Sequence, residues 1–244
     1  LGSREIGVAA SCGTGWLEVS RVPVISVVAT GDELVAVDET PLPHQIRQSN
    51  AHALAAALAG AGFPAANVGT VCDDEEVAVA ALAEHLAGGE WLILTGAVSK
   101  GARDFVPVVL EELGCRELFH GVAQRPGKPA GCWIGPKGQI VMALPGNPVS
   151  AITGLHAFVL PALERAVGLV GKTPRRVVPV DCRGLEGMTQ HLPVVLGADG
   201  RAEAAPTGNS GDFIGLLKSD GFVTLPPRGE LAASLAAVPF TPWL

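Results

Sequence analysis

The sequence predicts an α/β domain with a mainly parallel sheet and helices on its faces, followed by a small all-β domain. Three observations carry this. Five apolar runs, 24–29, 68–71, 91–94, 118–122 and 140–144, each have the length of a buried strand and each stop abruptly in a polar loop. Most of those loops lead into a helical pattern, and strand, loop, helix in repetition specifies parallel strands with helices packed across them. Beyond Gly171 short Val/Leu runs alternate with turn pairs such as Ala198-Asp199-Gly200 and Asp220-Gly221, spaced as in a small barrel or sandwich.

Taken in order, residues 1–21 are interspersed with Gly and Ser, show little periodicity and begin without a Met; they are expected to be a hinge remnant of something longer. The α/β domain is expected over 22–170 and the β domain over 171–244, with Lys172-Thr173-Pro174 at the boundary; 244 residues suit two domains. The first helix opens at Ser49-Asn50, good N-cap residues, and runs through Leu54 and Leu58 until Gly60 and Gly62 stop it. Asp73-Asp74-Glu75-Glu76 places acid at the positive end of a second helix carrying Val77, Leu82 and Leu86. A third runs over 106–113, with Pro107 in its first turn, where a missing N–H costs nothing. The longest begins at Pro148-Val149-Ser150 and ends near Gly168, and Pro161 inside it is expected to bend it.

Composition removes several classes of function. The formal net charge is -7 and the 17 Lys and Arg form no basic run, so the phosphate-tracking surface of a nucleic-acid binder is missing. No apolar stretch is long enough to span a bilayer, and no leader pattern is visible, so a cytoplasmic setting without membrane contact is expected. The five cysteines are scattered and never in the close pairs of a zinc site; buried free thiols are expected. None of the six His sits in a nucleophile–base pattern, which leaves core or surface positions for them.

In a parallel sheet the five loops share one rim, beyond the carboxyl ends of the strands. Thr30-Gly31-Asp32-Glu33-Leu34, Asp73-Asp74 and Asp104 bring carboxylates to it, and Mg²⁺ is held by one or two carboxylates together with phosphate oxygens. Helix capping alone would also put Asp32, Asp73 and Asp74 there. Arg125-Pro126-Gly127-Lys128-Pro129 fixes its backbone with two prolines and presents cations, an arrangement suited to an oxyanion. Pro145-Gly146-Asn147-Pro148 feeds into a helix whose N–H groups attract anions, although a plain turn explains it equally. The loop 95–104 is a Gly-lined phosphate cradle in outline, with Ser99 as hydroxyl and Lys100 as cation.

The order Thr30-Gly31-Asp32-Glu33-Leu34, Ser49-Asn50, Asp73-Asp74, Gly96-x-Val98-Ser99-x-Gly101-x-x-Asp104, Pro126-Gly127-Lys128-Pro129 and Leu144-Pro145-Gly146-Asn147-Pro148-Val149-Ser150 resembles the molybdopterin molybdenumtransferases, the MoeA and gephyrin E-domain family. The tail, Gly208-Asn209-Ser210-Gly211 and then Ser219 to Pro226, is similar to that family's closing β-barrel. The resemblance runs from Val22 onward and covers the last two of the family's four domains. It implies a three-layer α/β/α domain, a molybdopterin-binding fold, followed by a small barrel.

The resemblance further implies insertion of molybdate into adenylylated molybdopterin, with Mg²⁺ aiding release of AMP. A molybdopterin adenylyltransferase becomes an expected partner. Glu33, Asp73 and Asp74 would serve the metal and the adenylate phosphate, and Asp104 the pterin or the metal. Arg125 and Lys128 would hold molybdate and the terminal phosphate. Pro145, Gly146 and Pro148 would shape the pocket floor, with Thr30, Gly31, Asp32, Ser49, Asn50, Gly96, Ser99, Lys100, Gly101, Gly127, Asn147 and Ser150 as further substrate contacts. Family members are homodimers that borrow residues from the partner's amino-terminal domains. Ala97, Lys100 and Arg125 depart from the family pattern, where a second glycine, an apolar residue and a lysine are usual. Two alternatives stand beside this expectation: a non-catalytic molybdopterin- or nucleotide-binding scaffold, and an adenylyltransferase or CinA-like hydrolase.

Overall fold

The computed structural model describes residues 1–98, 105–169, 176–180, 182, 184–205, 211–228 and 236–244. In chain order the elements are α1 (Ser3–Ser11), β1 (Ile25–Thr30), β2 (Leu34–Val35), β3 (Ile46–Arg47), α2 (Asn50–Gly60), β4 (Asn67–Val71), α3 (Glu75–Gly88) and β5 (Trp91–Thr95). Then come α4 (Val106–Glu112), β6 (Arg116–His120), β7 (Gln124–Arg125), β8 (Gly131–Ile134), β9 (Ile140–Leu144), α5 (Pro148–Gly154), a π-helical turn (Leu155–Val159) and α6 (Leu160–Ala166). The remainder is β10 (Arg176–Val180), β11 (Thr189–Leu196), β12 (Ala202–Ala204), α7 (Phe213–Leu216), β13 (Gly221–Leu225) and β14 (Ala236–Pro242).

The first sheet has the order β4-β1-β5-β9-β8-β6. β4, β1, β5 and β9 are parallel, and β8 runs antiparallel to both β9 and β6. Strand periodicity divides its side chains between two cores. Ile25, Val27, Trp91, Ile93, Met142 and Leu144 pack with Leu54 and Leu58 of α2 and Leu155 and Leu163 of the last helical run. Val28, Leu92, Leu94, Val141 and Ala143 face the other way, against Leu82 and Leu86 of α3 and Val106 and Leu110 of α4. The result is the expected three-layer α/β/α domain. Helix α3 buries Ala78, Leu82 and Leu86 in i, i+4, i+8 spacing, so Val77 is half-exposed rather than a core residue.

Pro161 acts upstream of itself. It lacks the N–H that an unbroken α-helix would need for its i−4 carbonyl, and the chain takes a π-helical turn at Leu155–Val159 before resuming as α6 with Pro161 in its first turn. Strand β8 was not expected; β6 is an edge strand that leaves Leu118 and Phe119 exposed, and starts two residues before the expected run. α1 was not expected either, and it buries none of its residues. Cys115 and Cys132 are buried as expected, whereas Cys12 and Cys72 are exposed.

In the second sheet β12-β10-β14-β13-β11 closes on itself through β12–β11 pairing, giving a five-stranded barrel around Val178, Val194, Val223, Leu225 and Val238. Strand β7 belongs to the α/β domain in sequence but pairs with β11 in parallel, Thr189 opposite Gln124 and Gln190 opposite Arg125. The loop after β6 is thereby tied to the barrel. No helix among the described residues is long and apolar enough to cross a membrane.

Candidate functional site

Although β1 is the first strand, it lies inside the sheet. The chain leaves it for β4 on one side and returns to β5 on the other, so the loops leaving β1 and β5 part company. Doubly wound sheets take ligands at such a switch point. A cavity of about 710 Å³ occupies it, lined from β1 by Thr30, Gly31 and Glu33, from β5 by Thr95, Gly96 and Ala97, and from the β9 loop by Pro145 to Pro148. Arg47, Gln48, Ser49 and Asn50 close it on the α2 side, and Asp73, Pro129 and Gly211 reach it from β4, the cation loop and the barrel.

The floor is knotted by side chains. The Thr95 hydroxyl donates to the Pro145 carbonyl at 3.1 Å, and the Asn50 amide nitrogen donates to the Gly146 carbonyl at 2.7 Å and to Thr95 Oγ1 at 3.2 Å. Both acceptors fix the orientation of the Asn50 amide, so its Oδ1 is the atom left buried without a partner. Thr30 Oγ1 and Gln48 Oε1 are buried and unpartnered as well. Each such atom costs about 1–3 kcal/mol if nothing pairs with it. Three of them around one cavity form a polar lining that a ligand would satisfy.

Gly96 has φ +106°, and a Cβ there would collide with the Thr30 carbonyl oxygen, so the crevice between β1 and β5 depends on this glycine. Ala97 follows with φ +44°, in the left-handed region, where its Cβ is strained by about 1–2 kcal/mol.

The acidic candidates separate. Glu33 and Asp73 line the cavity. Asp32 and Asp74 do not: Asp32 Oδ1 accepts the Asp73 backbone N–H at 2.9 Å, and Asp74 Oδ1 accepts the Val77 N–H at 3.1 Å as the N-cap of α3. The reverse holds at two other helix starts. Ser49 and Asn147 occupy N-cap positions, make no side-chain capping bond, and line the cavity. Among the described residues no group of three His, Cys, Asp or Glu side chains could hold a metal on its own.

The cation loop reaches the site at one point, since Pro129 lines it while the adjacent Lys128 and the nearby Arg125 are exposed. Gly127 is buried with φ +93°, and Ser150 is buried in the first turn of α5. Val122 donates to the Lys128 carbonyl at 2.8 Å and Ala130 to the Gly127 carbonyl at 3.1 Å, which closes the loop. Ser99, Lys100, Gly101 and Asp104 lie outside the described residues, as does the expected boundary at 172–174.

Residues 26–165 match the family described as "Probable molybdopterin binding domain". The chain belongs to this family. Over 238 residues it is 34% identical to the molybdopterin molybdenumtransferase of a Synechocystis strain, covering 96% of this chain and 59% of that protein. The Bacillus subtilis molybdopterin molybdenumtransferase is 31% identical over 225 residues, covering 89% of this chain and 52% of that protein. Two MoeA structures from Pyrococcus horikoshii superpose with TM-scores of 0.77 and 0.76 at 28% and 22% identity, covering 98% and 100% of this chain and 57% and 60% of theirs. The second of these speaks for the fold alone. The chain thus spans between half and two thirds of the length of these relatives.

Arg47 and Gln48 line the cavity without having been expected from the sequence, and Thr95 and Gly211, which belong to motifs read there, were not assigned to the site. One signal was available. The runs ending at Thr30-Gly31 and Thr95-Gly96 finish on the same dipeptide, and in this molybdopterin-binding domain those two ends are neighbours.

Proposed function

We propose that this chain forms the pterin- and phosphate-holding part of a site that inserts molybdate into adenylylated molybdopterin and releases AMP. The observation that carries the proposal is the convergence, in one cavity at the β1/β5 switch point, of two carboxylates, a glycine-dependent floor with unpartnered polar atoms, and the proline of the cation loop.

Glu33 and Asp73 suit Mg²⁺, which needs only one or two protein carboxylates when substrate phosphate oxygens and water complete its shell. Bound there, the ion would polarise the phosphoanhydride. Asp104 is proposed as a contact to the pterin or the metal, and Ser99, Lys100 and Gly101 as further substrate contacts. Asp32 and Asp74 support it indirectly, since they order the β1 loop against Asp73 and start α3. Arg125 and Lys128 stand beyond Pro129 as the cations for molybdate and the terminal phosphate, because neutralising an anionic approach is the main electrostatic demand of this reaction. Ser150 and Gly127 set the packing beneath that loop. The same proposal takes the working assembly to be a homodimer in the cytoplasm, supplied by a molybdopterin adenylyltransferase.

The test is Mg²⁺-dependent AMP release from adenylylated molybdopterin, with and without molybdate, by this chain alone and with an amino-terminal half of a relative supplied. Stimulation by molybdate is the expected result. No release under any of these conditions would replace the transferase with a binding scaffold, and consumption of ATP would point to an adenylyltransferase.

A further inference from the structure

We propose that His191 of the barrel is a positioning residue for the cation loop, acting through Gln124. The proposal rests on the assignment of Lys128 and Arg125 to the oxyanion.

Gln124 and His191 are 67 positions apart and both are buried, at 3% and 7% exposure. They meet because β7 lies along β11, where the Thr189 N–H also donates to the Ala123 carbonyl at 2.9 Å. His191 Nε2 lies 3.2 Å from Gln124 Oε1, and His191 Nδ1 lies 3.1 Å from the Thr224 hydroxyl. The other end of the Gln124 amide, Nε2, donates to the Gly127 carbonyl at 3.4 Å, the same oxygen that takes the Ala130 N–H.

The proton count closes in one way. Gly127 offers only an acceptor, so Gln124 turns its nitrogen to Gly127 and its oxygen to His191. His191 therefore carries its proton on Nε2, and Nδ1 accepts from Thr224. Burial holds the ring neutral, with its pKa pushed down to about 4, and the Phe222 ring packs T-shaped against it with centroids 5.2 Å apart. At the receiving end a Cβ on Gly127 would sit 2.8 Å from Gln124 Nε2, and its φ of +93° is a backbone conformation that favours glycine. The next two residues are Lys128 and the cavity-lining Pro129. The barrel thus sets where the lysine stands.

The experiment compares His191→Leu, which removes both bonds at similar volume, with His191→Gln, which keeps a donor toward Gln124. Amide exchange at Val122 and Ala130 reads the loop, exchange along β9 serves as the reference, and calorimetry with sodium molybdate reads the oxyanion site. Loss of the relay is expected to raise exchange at Val122 and Ala130 and to weaken molybdate binding, each roughly tenfold in the Leu variant, with the Gln variant restoring both and β9 unmoved. Unchanged exchange at Val122 and Ala130 in His191→Leu, or equal loosening of β9 in both variants, overturns the positioning role. Faster loop exchange with no molybdate bound even by the unmutated chain overturns the oxyanion assignment instead, and with it the functional half of this proposal.

Discussion

Acid should loosen this protein through His191, and the size of the effect follows from its surroundings. The ring titrates near 6.5 when solvated and at about 4 in the fold, because burial disfavours the imidazolium and, among the described residues, no carboxylate offsets it. The depressed value means that the unfolded chain binds the proton first. Stability from the neutral ring is therefore complete above about pH 6.5, declines as the pH falls, and is lost once the pH passes about 4. A difference of this size corresponds to about 3 kcal/mol. Urea unfolding at stepped pH reads it directly, with His191→Gln as the control that lacks the titration. His156 and His85, whose pKa values burial also lowers, act with the same sign in both proteins and cancel in the comparison. Between about pH 7 and pH 4 the unmutated chain should lose about 3 kcal/mol more than the variant. Parallel profiles would mean that the ring is solvated or already charged, and the proton count at Gln124 would be wrong.

Three further outcomes are expected. Gly96→Ala should lower stability by about 3 kcal/mol in thermal or urea unfolding, because its Cβ meets the Thr30 carbonyl in a left-handed backbone; a loss near zero would show that the crevice can widen freely. Ala97→Gly should raise stability by about 1 kcal/mol by relieving its φ of +44°, and a lowered melting temperature would refute the strain. Lys128→Ala should weaken molybdate binding, measured by calorimetry, more than Lys100→Ala does, and equal effects would mean that the wrong cation was chosen.

The α/β domain was legible wherever a strand is buried on both faces. β1, β5 and β9 are such strands, and each reads as a continuous apolar run closed by a polar loop. Legibility fell at the sheet edge. β6 has four exposed residues of five and β8 is a four-residue strand directly after a proline-rich loop, so neither had a periodic pattern to reveal the antiparallel turn-back. α1 was missed for a related reason, since a helix that buries nothing leaves no apolar stripe to read.

Sequence also brought the acids to one rim without distinguishing among them. Asp32, Glu33, Asp73 and Asp74 are equivalent as carboxylates following strands, and what divides them is which backbone N–H each can reach. Asp74 precedes α3 at the distance that lets it cap Val77, and Asp32 meets the Asp73 N–H only because β1 and β4 are neighbours. Asp32 and Asp74 do not line the cavity, while Glu33 and Asp73 do. The same logic accounts for the barrel. Its contribution to the site depends on β7 pairing with β11 and on Gln124 reaching His191, contacts made across long sequence separations for which no local pattern exists. Local patterning therefore specifies the rim, and long-range pairing selects which of its side chains face the ligand.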